Sequence, residues 1–105
     1  MTDIAFVLTT VPDDDKGEAI ARALVEERLA ACVNVLGPMT SIYRWRGAVE
    51  RESERQVIIK TTSARLPALQ ARLAALHPYE LPEFIVLAVA AGSEAYLQWI
   101  SESCT

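Results

Sequence analysis

The chain has 105 residues, room for one domain over 1–105 and one hydrophobic core. Apolar residues make up 51% and charged residues 23%, which excludes intrinsic disorder and collagen-like repeats. Ten Lys and Arg against 14 Asp and Glu leave a net charge of -4, which disfavours nucleic acid and anionic membranes as general partners.

Ile4 to Thr10 is an apolar run closed by Val11-Pro12, too short for a typical helix and without helical periodicity, so it predicts a buried strand. Asp13-Asp14-Asp15 supplies an N-cap and a negative first turn. Ala21, Leu24, Val25 and Leu29 then recur at helical spacing and predict a helix of about four to five turns. A second strand opens at Cys32, is bent or bulged at Gly37-Pro38, and resumes at Ser41. In it Tyr43 and Trp45 share one face, alternating with Ile42, Arg44 and Arg46, and Gly47 supplies the positive φ of a tight hairpin turn. The return strand, Val49 to Thr61, would reach about 43 Å at about 3.3 Å per residue. A domain of this length has a radius of gyration of only about 13 Å, so the hairpin should project beyond the globule.

Ser63 can cap a second helix with Pro67 in its first turn and Leu66, Leu69, Leu73 and Leu76 along one side, stopped by His77-Pro78. Phe84 to Val89 predicts a fourth strand. It lies in the longest apolar run of the sequence, Phe84 to Ala91, far short of the roughly 20 residues of a membrane span. Gly92 ends it, and Ser93 caps a short last helix bearing Tyr96, Leu97, Trp99 and Ile100. The order β-α-β-β-α-β-α is that of an α+β, ferredoxin-like domain with an extended β2-β3 hairpin and a short C-terminal helix. Phe84 to Val89 lacks the alternation of a half-exposed strand, so both its sides are expected to be buried, one of them by the last helix or another subunit. With Tyr43 and Trp45 on a projecting hairpin, this predicts self-association; the alternative is that both rings fold back on their own sheet. The start Met1-Thr2-Asp3-Ile4 lacks the basic region of a secretory signal, so the expected compartment is the cytoplasm. Cys32 and Cys104, without CxxC spacing, do not form a disulfide framework.

Four stretches in order carry a family resemblance: Glu27-Arg28-Leu29-Ala30-Ala31-Cys32-Val33-Asn34, Ser41-Ile42-Tyr43-Arg44-Trp45-Arg46-Gly47, Ile59-Lys60-Thr61-Thr62, and His77-Pro78-Tyr79-Glu80-Leu81-Pro82-Glu83. Together, from about Phe6 to Ile100, they resemble the CutA divalent-cation tolerance family. The resemblance implies a ferredoxin-like protomer, a homotrimer joined through the hairpins, a cytoplasmic location and a role in tolerance of copper and other divalent cations. Some members carry a cysteine in the first strand and a histidine pair before Pro-Tyr; here those places hold Thr9 and Leu76-His77.

Copper favours imidazole, thiolate and thioether ligands. The chain offers one histidine, His77, the thiols Cys32 and Cys104, and the thioethers Met1 and Met39. His77 at a helix end is expected to cap the last carbonyls, with weak Cu(II) or other divalent-cation ligation as the alternative; no cofactor is required. Cys32, between Ala31 and Val33, reads as a small core residue, and Cys104 as part of a mobile end. Glu50, Glu52 and Glu54 share one strand face and read as a solvated, charge-guarded strip, with a carboxylate binding strip as the alternative.

No phosphate loop, nucleophile elbow, HExxH helix or zinc-type spacing occurs, so no enzyme is expected. His77, Glu80 and Lys60 would form an acid-base cluster only if an interface gathered them. Fold analogy also allows a PII-like trimeric signalling or small-ligand module, with an anionic ligand in an intersubunit cleft near Tyr43, Trp45, Lys60, His77 and Glu80. The tight Arg46-Gly47-Ala48 turn leaves no long mobile loop for that reading.

Overall fold

A computed structural model of the chain describes residues 2–105. Its first strand, β1 (Ile4–Pro12), sets the layering, because Ala5, Val7, Thr9 and Val11 are buried while Phe6, Leu8 and Thr10 on the opposite face are only half-buried. The inner face is covered by α1 (Lys16–Glu26) and α2 (Leu66–Leu76). Val7, Val11, Val57 and Ile59 from the sheet meet Ile20, Leu24, Leu69 and Leu73 from the helices there. A second, smaller cluster joins Ile4, Ala31, Ile100 and Cys104, with Phe6, Val89 and Leu97 against it. It seats α3 (Glu94–Ser103) against the end of the sheet where β1 begins.

The sheet order is β2-β3-β1-β4, antiparallel throughout, with β2 spanning Cys32–Trp45, β3 Ala48–Thr62 and β4 Ile85–Ala88. This is the expected ferredoxin-like arrangement. The β2–β3 register slips between Val35 and Pro38, where proline lacks a ladder donor, as the sequence predicts. Trp45 pairs with Ala48 across the two-residue turn Arg46-Gly47, both at positive φ (49° and 83°). That is the backbone signature of a type I′ hairpin, whose twist matches the strands it joins. β1 pairs with β3 only as far as Pro12 opposite Glu54. Residues 40–53 therefore extend past the three-stranded region, and the longest dimension reaches 44 Å with a radius of gyration of 14.3 Å.

Several local expectations are corrected. α1 has 11 residues, about three turns rather than four to five, because Arg28 takes positive φ (61°) and ends it; Leu29 is buried from the loop instead. No aspartate of the 13–15 run makes a side-chain N-cap bond: Asp15 occupies the cap position, the Asp14 carboxylate accepts from the Lys16 backbone N–H, and Asp13 is drawn off to Arg55 and Ser53 on β3. Ser63 opens a 3-10 turn, Ser63–Arg65, ahead of α2, and its side chain caps nothing. Ser93 does cap α3, accepting from the Tyr96 N–H at 3.3 Å. Cys104 is buried at 3% exposure in the second cluster rather than mobile, whereas Cys32 is half-buried rather than in the core. β4 is the largest departure: it is four residues long, and Ile85, Val86 and Leu87 are 44–49% exposed in the single chain. Among the described residues neither α3 nor any other element covers it.

Candidate functional site

Pro78 cannot continue a helix, and His77 adopts extended backbone angles, so the chain leaves α2 and crosses toward the base of the hairpin. His77 is 8% exposed. Its Nε2 donates to the Thr10 carbonyl oxygen at 2.7 Å, and its Nδ1 accepts from the Tyr79 backbone N–H at 3.1 Å. The roles follow from the partners, since a carbonyl can only accept and an amide N–H can only donate. The expected capping of helix carbonyls is thus not made; the ring staples the end of α2 to β1, and neither nitrogen keeps a free lone pair for a metal.

Tyr79 lies against the His77 ring, centroids 4.7 Å apart, and its hydroxyl donates to Glu54 Oε2 at 2.6 Å. Burial, reinforced by the hydrogen bond to Glu54 and that carboxylate's charge, raises the Tyr79 phenol well above the usual tyrosine range. Glu54 is 7% exposed, which corrects the reading of the Glu50, Glu52, Glu54 strip as wholly solvated. Its place opposite Pro12, where the hairpin leaves the body of the sheet, explains the difference; Glu50 and Glu52 lie beyond the end of β1. Gln56, the next residue on that face, donates from Nε2 to the Thr9 carbonyl at 2.7 Å and to Glu83 at 3.3 Å. Tyr43 shares the face, and its phenol is also raised, by desolvation first and then by the charges of Glu52, Glu54 and Glu50.

The residues picked out from sequence are only partly brought together. His77 lies against Tyr79 of the Tyr79–Glu54 pair, and Tyr43 shares the Glu54 face farther along the hairpin, opposite Glu50. Glu80 accepts from Arg46 at 2.7 Å, tying the loop after α2 to the hairpin tip, where the Arg46 guanidinium sits 5.2 Å from the Trp45 ring centre. Both members of that ion pair are more than two-thirds exposed, so it adds little stability. Lys60 stands apart, four residues beyond Gln56 along β3, about 13 Å at strand spacing. Its Nζ donates to the Tyr96 hydroxyl at 3.1 Å and lies over the rings of Phe6 and Tyr96. An acid-base cluster of His77, Glu80 and Lys60 is therefore not formed within one chain. Among the described residues no group of three or more His, Cys, Asp and Glu could hold a metal ion. The sequence reading missed Tyr79, Gln56 and Glu83; the signal available was their alternation or proximity to Glu54 at the hairpin base, which needs the β1–β3 register to be seen.

Comparison with known proteins decides the relationship. The family model described as CutA1 divalent ion tolerance protein matches residues 5–103. The chain belongs to that family. It is 50% identical over 97 residues to the divalent-cation tolerance protein CutA of Thermus thermophilus, covering 92% of this chain and 94% of that one. A human relative, Protein CutA, is 44% identical over 99 residues, and the match spans 94% of this chain but only 55% of the human protein's length. The crystal structure of CutA from Xylella fastidiosa superimposes with a TM-score of 0.96 at 44% identity, covering 99% of this chain and 100% of that one. The CutA fold is thus shared over nearly the whole length. No helix among the described residues is long and apolar enough to cross a membrane.

Proposed function

We propose that this chain is a copper-tolerance protein of the cytoplasm that works as a homotrimer and contacts Cu(II), or another divalent cation, weakly rather than through a resident site. The observation that carries the reading is the state of His77: it is the sole histidine, it is buried, and both ring nitrogens already hold hydrogen bonds. A metal at either nitrogen displaces one of those bonds, and a tight copper site needs further soft donors beside the imidazole. Support for the trimer comes from β4 and its neighbours. Ile85, Leu87 and Trp99 are 44–49% exposed, and Ile85 and Leu87 pair with half-buried Leu8 and Phe6 on a sheet face that its own helices leave largely open. A closed ring of copies covers such a face in every subunit at once. No reaction is assigned to the chain. The PII-like alternative depends on a mobile loop between β2 and β3, and the two-residue turn at Arg46-Gly47 gives it no support.

Light scattering at micromolar concentration tests assembly, with three times the mass of one chain expected and a monomer refuting it. Calorimetric titration of Cu(II) into metal-free wild type, His77→Ala and Cys104→Ser tests the metal. Weak binding lost in His77→Ala and kept in Cys104→Ser is expected. Submicromolar binding that survives both substitutions overturns the assignment.

A further inference from the structure

At the end of β3 remote from the hairpin, where Thr62 pairs with Ile4, three parts of the chain converge on one cavity. The Ser63 backbone N–H donates to the Asp3 carbonyl at 2.8 Å, joining the turn after β3 to the entry of β1. The Arg65 Nε donates to the Cys104 carbonyl, joining that turn to the end of α3. The cavity measures about 580 Å³, within the range of small-molecule sites, and Asp3, Thr62, Ser63, Arg65 and Ser101 line it.

Several polar groups there lack partners. Thr62 is 8% exposed, yet its hydroxyl neither caps the 3-10 turn that follows nor meets another partner among the described residues. A hydroxyl in so buried a residue ordinarily holds a hydrogen bond. Thr61, which points to the opposite face of β3, does so by donating to the Leu29 carbonyl at 2.7 Å. The Ser63 side chain also caps nothing. Arg65 gives one of its five N–H donors to Cys104 and forms no ion pair among the described residues, and Asp3 forms none either. A guanidinium and a carboxylate thus line one cavity without meeting, which leaves room between them for a molecule that carries both charges.

We infer that this cavity binds a small zwitterion of the α-amino-acid class. Arg65 takes the ligand's carboxylate in charge-assisted hydrogen bonds, the Thr62 and Ser63 hydroxyls add theirs, and Asp3 accepts from the ammonium. A simple anion fits less well, because its charge would stand beside Asp3, and a simple cation meets the same objection from Arg65. So small a ligand has few atoms with which to offset the cost of its immobilisation, so millimolar affinity is expected. The site uses neither His77 nor the hairpin: Thr62 stands eight residues beyond Glu54 along β3, about 26 Å at strand spacing. It is therefore independent of the copper and assembly readings.

Titration of L-serine into the isotope-labelled chain, followed by amide NMR shifts, tests the assignment. Saturable shifts at Thr62, Ser63 and Arg65 are expected through the millimolar range. N-acetyl-L-serine, which lacks the ammonium, and L-serine methyl ester, which lacks the carboxylate, should each bind at least about tenfold more weakly. Asp3→Asn should weaken L-serine by about tenfold while strengthening N-acetyl-L-serine, a crossover that loss of structure cannot produce. Arg65→Gln should weaken L-serine similarly; should that variant misfold for want of the Cys104 contact, Asp3→Asn, at an exposed residue ahead of β1, carries the test alone. Absence of saturable shifts at these residues in wild type overturns the proposal, as does equal binding of the three serine compounds. Inorganic phosphate that shifts the same amides as strongly as L-serine, with no change in Asp3→Asn, shows an anion site and overturns the zwitterion.

Discussion

Removing one oxygen, by Tyr79→Phe, tests whether the buried contact at the hairpin base stabilises the fold. The ring remains to pack against His77, 4.7 Å away, so the change opens no sizeable cavity and isolates the hydroxyl. That hydroxyl donates to Glu54 at 2.6 Å, and Glu54 is 7% exposed with no other side-chain partner among the described residues. Hydrogen bonds to charged groups contribute about 1.5–3 kcal/mol, and a buried acceptor left without its donor loses an amount of the same order, so a loss of about 2 kcal/mol is expected at neutral pH. With a urea m-value of about 2 kcal/mol/M, the midpoint should fall by about 1 M, compared at equal chain concentration because assembly contributes to the measured stability. The pH dependence has a definite sign. The folded Tyr79 phenol is raised above the unfolded value of about 10, so the folded state holds the proton more tightly. Its contribution is complete below that value and is lost as pH rises toward the folded one. The gap between wild type and Tyr79→Phe should therefore narrow above about pH 10. A neutral-pH loss under about 0.5 kcal/mol would refute the reasoning, as would a gap that widens in alkali.

Three further outcomes follow from the same geometry. Thr9 is 1% exposed and its hydroxyl has no partner among the described residues, so Thr9→Val, nearly the same shape, should raise stability by about 1 kcal/mol in urea titration. A Cβ at Gly17 would lie 2.6 Å from Val11 Cγ2, so Gly17→Ala should cost about 1–3 kcal/mol despite alanine's better helix propensity, read as a lower thermal midpoint. Trp45→Ala removes a ring from the aromatic face of the hairpin and should weaken assembly, seen as a loss of mass in light scattering on dilution.

The legible part of this fold is the part written in local periodicity. β1, the leucine spacing of α2 and the Arg46-Gly47 turn each depend on residues within a few positions of one another, and each lies where its pattern places it. Helix limits were less legible: the apolar spacing through Leu29 outlasts α1, because burial of Leu29 is satisfied from a loop once Arg28 turns left-handed. The site was legible residue by residue but not as a constellation. His77 is visible as the only imidazole, yet its partners Thr10 and Tyr79, and the Glu54 that Tyr79 holds, are joined by the β1–β3 register and by the path of the chain after Pro78. The apolar run at Phe84 to Val89 predicts a strand buried on both sides, yet Ile85, Val86 and Leu87 are 44–49% exposed in the single chain, because burial there depends on contacts that no local pattern specifies.

The hydrogen bonds of His77 would tie the proposed metal contact to the proposed assembly. Copper at Nδ1 would displace the Tyr79 N–H, and Tyr79 is the residue whose hydroxyl holds Glu54 at the root of the acidic hairpin face. A ligand that loosens Tyr79 would act at the root of the projecting hairpin, and if that disturbs assembly, linkage requires the effect to be reciprocal: whatever copper does to assembly, assembly does to copper affinity. Because the displaced contact belongs to the ordered arrangement, copper should loosen the proposed trimer, raising its dissociation constant in sedimentation equilibrium as free Cu(II) is raised through its expected weak binding range. The same titration on Tyr79→Phe, which has already lost the hydroxyl contact, should show a smaller shift. Equal shifts in the two proteins would mean that copper acts elsewhere, and tightening of the trimer by copper would mean that the metal bridges subunits instead of competing with the Tyr79 contact.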